Sequence, residues 1–159
     1  MYIYNKIVLG VAVTKDQFFV KSGRKLQCGH LVVLPIKKFC AECGKSAKLK
    51  ETFVPTENFA DWCRKSGISL SKAWLPDETI PGQLAAFQVN PIYDIECKGE
   101  GQIAFGFCMY FCTGSDEGCR VNFDLLGAIH EYKVKLFLAL TELGLSGEPV
   151  LYPTVMASY

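Results

Sequence analysis

The segment IAFGFCMYFC, residues 103–112, predicts a strand because large and small side chains alternate along it. Every second residue from Ile103 is apolar and mostly large, whereas the residues between them are mostly small. The segment IVLGVAV, residues 7–13, has a matching pattern, with Gly10 and Gly106 at equivalent places. We therefore expect the two strands to lie near each other in one sheet, with small faces that let a helix approach closely.

The remaining pattern indicates a mostly antiparallel sheet. Residues 84–96 and 102–112 flank the turn sequence KGEG and predict a hairpin. Residues 57–66 predict a short helix, and residues 125–143 predict a long one with apolar side chains at helical spacing. The closing segment predicts a last strand, which Pro153 places at a sheet edge. Strands combined with these two helices indicate an α+β fold.

A second stretch, LQCGHLVVLPIKKFCAECGKS, contains three cysteines and a histidine within residues 26–46. Zinc prefers four tetrahedral thiolate and imidazole ligands, and a Cys-x-x-Cys-Gly turn lets two thiolates converge on one ion. The spacing predicts one zinc ion with the ligands Cys28, His30, Cys40 and Cys43, although it leaves open whether His30 is the fourth ligand. Four protein ligands leave no position for a catalytic water, so the predicted site is structural.

Other uses of this stretch fit less well. A redox Cys-x-x-Cys pair belongs between a strand and a helix, whereas glycine and polar residues follow Cys43. The GKS sequence would need a glycine five residues earlier to form a phosphate-binding loop, and Phe39 stands there. A disulfide or free thiols remain the alternatives to zinc.

The segment KFCAECGKS resembles the second knuckle of a zinc ribbon, although the first half, with Cys28 and His30, departs from that family's usual second Cys-x-x-Cys. The resemblance implies a module of the kind that often touches nucleic acid or protein. With the closing segment LYPTVMASY, the chain also resembles small uncharacterised bacteriophage proteins that carry one ribbon near the N-terminus. That likeness implies a phage-encoded inhibitor of a host or defence protein, acting in the host cytoplasm.

The predicted organisation is a single α+β domain over residues 1–159, with the zinc ribbon inserted as a loop at residues 22–50. Residues 18–20 are expected to pair with the first strand and lead into the loop, and residues 48–54 are expected to return from it.

Charge is distributed unevenly along the chain. Residues 1–50 contain ten Lys and Arg against two acids, a balance of +8, and residues 51–159 contain seven against fourteen, a balance of −7. The excess of positive charge in residues 1–50 suggests that this part of the chain binds a polyanionic or acidic partner. The alternatives are that the basic and acidic parts of the chain attract each other, or that the lysines form a solvated surface. The predicted contact residues are the ribbon lysines and one tryptophan from the long stretch at residues 67–84, namely Lys37, Lys38, Lys45, Lys48 and Trp74.

The sequence offers little support for catalysis. A cysteine hydrolase needs a thiolate, a histidine base and an orienting group; if His30 binds zinc, only His130 remains as a base, and no such triad can be assembled. We therefore expect a non-enzymatic binding protein whose basic ribbon tip contacts nucleic acid or an acidic protein surface. A phage-encoded inhibitor and a cysteine-dependent enzyme are the alternatives. No signal sequence or membrane span is recognisable, which predicts a cytoplasmic protein without a membrane partner, and the oligomeric state stays open.

Overall fold

The chain folds as two compact units, which we call the sheet unit and the ribbon unit. The sheet unit comprises Met1–Thr14 and Asn58–Tyr159, and the ribbon unit is Lys15–Glu57. A computed structural model describes residues 2–32, 37–89, 102–114 and 124–158.

The described residues form six strands and three α-helices, together with one 3₁₀ turn. All strand pairs are antiparallel, as the α+β prediction requires. In chain order the elements are β1 (Tyr2–Val13), the 3₁₀ turn (Lys15–Gln17), β2 (Phe19–Leu26), β3 (Leu49–Pro55), α1 (Glu57–Ser66), α2 (Leu70–Ala73), β4 (Leu84–Val89), β5 (Gln102–Gly114), α3 (Asp124–Leu143) and β6 (Val150–Ser158).

The sheet unit contains a four-stranded sheet in the order β4-β5-β1-β6. Strand β1 pairs with β5, and Gly10 lies directly opposite Gly106, which confirms the predicted neighbours. Strand β4 pairs with β5 as the hairpin prediction requires, while the KGEG turn lies outside the described residues. Strand β6 pairs with β1 and ends the sheet, so the predicted edge position of Pro153 is confirmed.

The helices lie against the large apolar face of the sheet, so the expectation that they approach the small face is wrong. The Trp62 ring of α1 meets the Phe105 ring edge-on at 5.4 Å, and Tyr132 of α3 meets Phe107 at 4.9 Å. The large face offers more apolar area to remove from water, which favours helix packing there. The glycines instead allow the two strand backbones to approach closely: a Cβ on Gly10 would lie 2.7 Å from the Phe105 carbonyl oxygen.

Two of the three helices were predicted closely. Helix α1 has the predicted bounds. Helix α3 begins one residue before the predicted start and ends at Leu143 as predicted, followed by Gly144, whose φ of 68° is typical of the residue after a helix. The stretch 67–84 is not irregular throughout, because it contains the short helix α2. Within the described part of the chain, no helix has both the length and the apolar character needed to cross a membrane.

The ribbon unit is built on the hairpin of β2 and β3, which runs from the Phe19–Pro55 pair to the Leu26–Leu49 pair. The expectation that residues 18–20 pair with the first strand is therefore wrong. Strand β1 is already paired with β5 on one side and with β6 on the other, so it has no free edge for β2.

Candidate metal centre

The first half of the centre is a tight turn at the end of β2. The Gly29 N–H donates to the Leu26 carbonyl at 2.8 Å, and the Leu26 N–H donates to the His30 carbonyl at 3.1 Å. Gly29 has a φ of 90°, which a residue without a Cβ adopts readily. This turn brings Cys28 and His30 to the same end of the hairpin.

The second half is a knuckle over residues 38–47. The Cys40 N–H donates to the Lys45 carbonyl at 2.8 Å, and the Gly44 N–H donates back to the Cys40 carbonyl at 2.9 Å. Gly44 has a φ of 69°, so the glycine after the second cysteine is required by the backbone, as the sequence motif indicates. The knuckle turns Cys43 back beside Cys40.

The two halves bring all four predicted ligands together. One ligand atom from each of Cys28, His30, Cys40 and Cys43 lies within 4.8 Å of the other three. The Cys40 Sγ and His30 Nδ1 atoms are 3.5 Å apart. Tetrahedral zinc with its usual bond lengths separates sulfur from nitrogen by about 3.6 Å and sulfur from sulfur by about 3.8 Å. The cluster could therefore hold one metal ion after only a small contraction, and its donor set is compatible with a zinc-binding module.

The thiols are arranged so that a cation can replace their protons. The N–H groups of Cys43 and Glu42 donate to the Cys40 sulfur and lower the pKa of that thiol to about 6, against the opposing effect of burial. The Lys45 N–H would also lower the pKa of Cys43, but burial and the Cys28 and Cys40 thiols together raise it. Hydrogen bonds with Cys28 and Cys40 raise the pKa of His30. The Cys40 thiolate thus forms readily. A second thiolate beside it is disfavoured by charge repulsion, which a bound positive ion would offset.

Glu42 supports His30 from outside the cluster, a role that the sequence analysis did not assign to it. Its Oε2 atom lies 3.3 Å from His30 Nε2, while the other ring nitrogen, Nδ1, faces Cys40. A metal-binding histidine commonly donates its second ring N–H to a carboxylate, which fixes the ring's orientation. The only signal in the sequence was the position of Glu42 between the two cysteines of the Cys-x-x-Cys pair.

The predicted contact residues fall into two environments. Lys37, Lys38, Lys45 and Lys48 are all exposed on the ribbon unit, and none of the four forms an ion pair among the described residues. Trp74 belongs to the sheet unit, where it is half-buried with its ring edge-on to Phe59 at 6.4 Å. The lysines are thus free to meet a partner, whereas Trp74 is partly engaged in packing.

The other histidine and the other described cysteines outside the cluster lie on separate elements of the sheet unit. His130 is exposed on α3, Cys63 is buried on α1, and Cys108 is buried on β5. Cys97 and Cys119 lie outside the described residues, as does the Cys112 side chain.

No protein-family model, curated protein or solved structure matches this chain. The resemblance to bacteriophage proteins therefore finds no support among known proteins.

Proposed function

We propose that this chain is a non-enzymatic binding protein in which one structural zinc ion stiffens a basic tip that contacts nucleic acid. The observation that carries the proposal is the cluster of three thiols and one imidazole whose ligand atoms all lie within 4.8 Å of one another. The same unit carries exposed lysines, Lys37, Lys38, Lys45 and Lys48, that form no ion pair among the described residues.

The donor set favours zinc over other common ions. Calcium and magnesium prefer oxygen ligands, whereas three thiolates and one imidazole in a tetrahedral arrangement suit zinc. Four protein ligands complete the preferred coordination and leave no place for a substrate, so the ion would have a structural role.

The ribbon unit has a small core, which explains why it would need a metal. Of its described residues, only Phe18, Leu26 and Cys40 are buried hydrophobic side chains. A unit of this size rarely folds stably on so little buried apolar area. Metal binding would supply the missing stability, because a site absent from the unfolded chain couples binding to folding.

The charge of the ribbon unit fits a polyanion. Its residues 15–57 contain nine Lys and Arg against four acids, a net charge of +5. One of these lysines, Lys21, is paired with Glu51, and Lys15 lies over the Phe53 ring at 3.8 Å. The tip lysines Lys37, Lys38 and Lys45 remain available for phosphate groups, whose neutralisation releases counterions and drives binding at low salt.

The test has two parts, of which the first is the metal. Protein purified without chelators should contain about one equivalent of zinc by elemental analysis, and a preparation with folded ribbon unit but no bound metal would contradict the proposal.

The second part is nucleic-acid binding over a salt series. The double variant Lys37→Glu with Lys38→Glu should weaken binding at least tenfold at low salt and flatten the dependence on salt, because two phosphate contacts are lost. The matched control, Lys72→Glu with Lys133→Glu, makes the same change of charge on exposed residues of the sheet unit and should bind like the wild type. Nucleic-acid binding that ignores salt would overturn the role of the lysines. A single protein retained from lysate regardless of salt and nuclease would replace the proposal with the inhibitor alternative, in which the chain binds a host or defence protein.

A further inference from the structure

The ribbon tip carries an exposed aromatic ring that the zinc site does not use. Phe39 is 62% exposed although it lies next to the buried ligand Cys40. Its ring makes no aromatic or cation–π contact among the described residues. Single exposed apolar side chains are common on protein surfaces, so exposure alone carries no conclusion, and the surroundings of Phe39 decide what the ring can do.

The backbone holds this ring in a fixed place. Phe39 pairs with Ser46 in an antiparallel bridge. On one side of the bridge the Ala47 N–H donates to the Lys38 carbonyl at 2.9 Å, and on the other the Cys40 N–H donates to the Lys45 carbonyl at 2.8 Å. Because side chains alternate along an extended strand, Phe39 points away from the side on which Cys40 faces the metal. Ser46, the residue opposite, is too small to cover the ring.

Lysines surround the same short bridge. Lys37 and Lys38 precede Phe39, and Lys45 lies on the returning strand, next to Ser46. All three are exposed and free of ion pairs within the described chain. By the same alternation Lys37 lies on the Phe39 side of the bridge, whereas Lys38 and Lys45 lie on the other side, from which their flexible four-carbon stems can reach round the tip. The tip therefore combines one exposed aromatic ring with three lysines within two residues of the bridge, and such a combination binds single-stranded nucleic acid through stacking and backbone charge.

We propose that the ribbon tip binds single-stranded nucleic acid, with Phe39 stacking on one unpaired base and Lys37, Lys38 and Lys45 contacting the flanking phosphates. This inference rests on the proposed function and narrows it. A duplex would satisfy the lysines equally well, but its base faces are stacked on one another and closed to Phe39. The Phe39 ring is thus the feature that would make the tip prefer a single strand to a duplex.

The experiment compares a fluorescent 12-nucleotide single strand with a 12-base-pair duplex, using zinc-loaded full-length protein and anisotropy as the readout. Wild type should prefer the single strand. Phe39→Ala should weaken single-strand binding by about 5- to 150-fold and leave duplex binding within about twofold, because one base–aromatic contact is lost. The slope of log affinity against log salt should not change, since Phe39 carries no charge.

Three further variants make the result specific. Phe137→Ala removes a ring that is 66% exposed in the sheet unit, and it should bind like the wild type. Phe39→Trp should keep or improve single-strand binding. Phe39→Leu keeps apolar area but has no flat ring to stack on a base, so it should bind the single strand nearly as weakly as Phe39→Ala. Each Phe39 variant must retain one equivalent of zinc, and if Phe39→Ala loses it, the Trp and Leu variants carry the comparison.

The outcomes separate this inference from the broader proposal. Equal binding of single strand and duplex, unchanged by Phe39→Ala, would overturn the stacking inference and leave nucleic-acid binding intact. Full activity of Phe39→Leu would also overturn stacking, because any apolar side chain would then suffice. Absence of binding to either nucleic acid at low salt would overturn both.

Discussion

Gly10→Ala tests the close approach of β1 and β5, because the added Cβ would lie 2.7 Å from the Phe105 carbonyl oxygen and 3.1 Å from its carbonyl carbon. Ordinary contacts begin near 3.4 Å, so the strands must separate by about 0.7 Å (3.4 minus 2.7 Å). Such a shift lengthens nearby hydrogen bonds from about 2.9 to about 3.6 Å, beyond their useful range. Overpacking and one or two weakened bonds cost about 3–5 kcal/mol, and the smaller entropy of unfolded alanine offsets about 1 kcal/mol. We expect a net loss of about 2–4 kcal/mol.

Urea unfolding followed by tryptophan fluorescence measures this loss, since both tryptophans, Trp62 and Trp74, lie in the sheet unit. A slope of about 2 kcal/mol per M, the middle of the usual range, puts the midpoint roughly 1–2 M below that of the wild type. Gly127→Ala is the control, because its Cβ would meet nothing within 4 Å and alanine favours a helix by about 0.5–1 kcal/mol. A Gly10→Ala midpoint equal to the wild-type value would refute the steric reasoning.

Three other changes have definite expected results. Cys43→Ser should reduce bound zinc well below one equivalent and make the ribbon unit sensitive to limited proteolysis. The tryptophan fluorescence of the sheet unit should stay native. An undiminished zinc content would exclude Cys43 as a ligand. Glu42→Ala should weaken zinc binding by about 10- to 100-fold in competition with a chelator, whereas Glu51→Ala, which removes another exposed acid of the ribbon unit, should not. Burial lowers the pKa of Lys6 in the folded chain. As pH rises, the folded chain therefore loses this proton at a lower pH than the unfolded chain does. The destabilising effect of burying the charge is thus relieved, and wild-type stability increases, as pH rises towards the unfolded pKa of about 10.4. The stability advantage of Lys6→Met over wild type should therefore shrink with rising pH in urea titrations, and a constant difference would contradict the assignment.

The cluster of Cys28, His30, Cys40 and Cys43 could be predicted from the sequence because its determinants are local. Two short motifs fix the ligands, and Gly44 supplies the conformation that the second motif needs. The pairing of Gly10 with Gly106 was also predictable, since matching alternation and matching glycines leave few possible registers. In both cases short sequence motifs carry the information: two motifs of a few residues for the cluster, and two matching seven-residue segments for the strand pair.

The features that sequence reasoning missed depend on which elements meet. The partner of β2 could not be known without knowing that β5 and β6 occupy both edges of β1. The support that Glu42 gives to His30 depends on how the turn and the knuckle face each other. Phe39 is exposed because of the side of the Phe39–Ser46 bridge on which its ring lies. The sequence shows only that Phe39 stands between a lysine and a predicted ligand.

The position of β1 in the sheet has a consequence for synthesis of the chain. Its two neighbours, β5 and β6, come from the far end of the described chain, and Tyr2 pairs with Ser158. At about 5–20 residues per second, β1 would leave the ribosome roughly 7–30 s before its last partner is available. During that time at least the edge that β6 will cover stays unpaired, and an unpaired edge of an apolar strand invites association with other chains. The ribbon unit, by contrast, is built from Lys15–Glu57 alone, so it can fold while β1 still lacks its partners in the sheet.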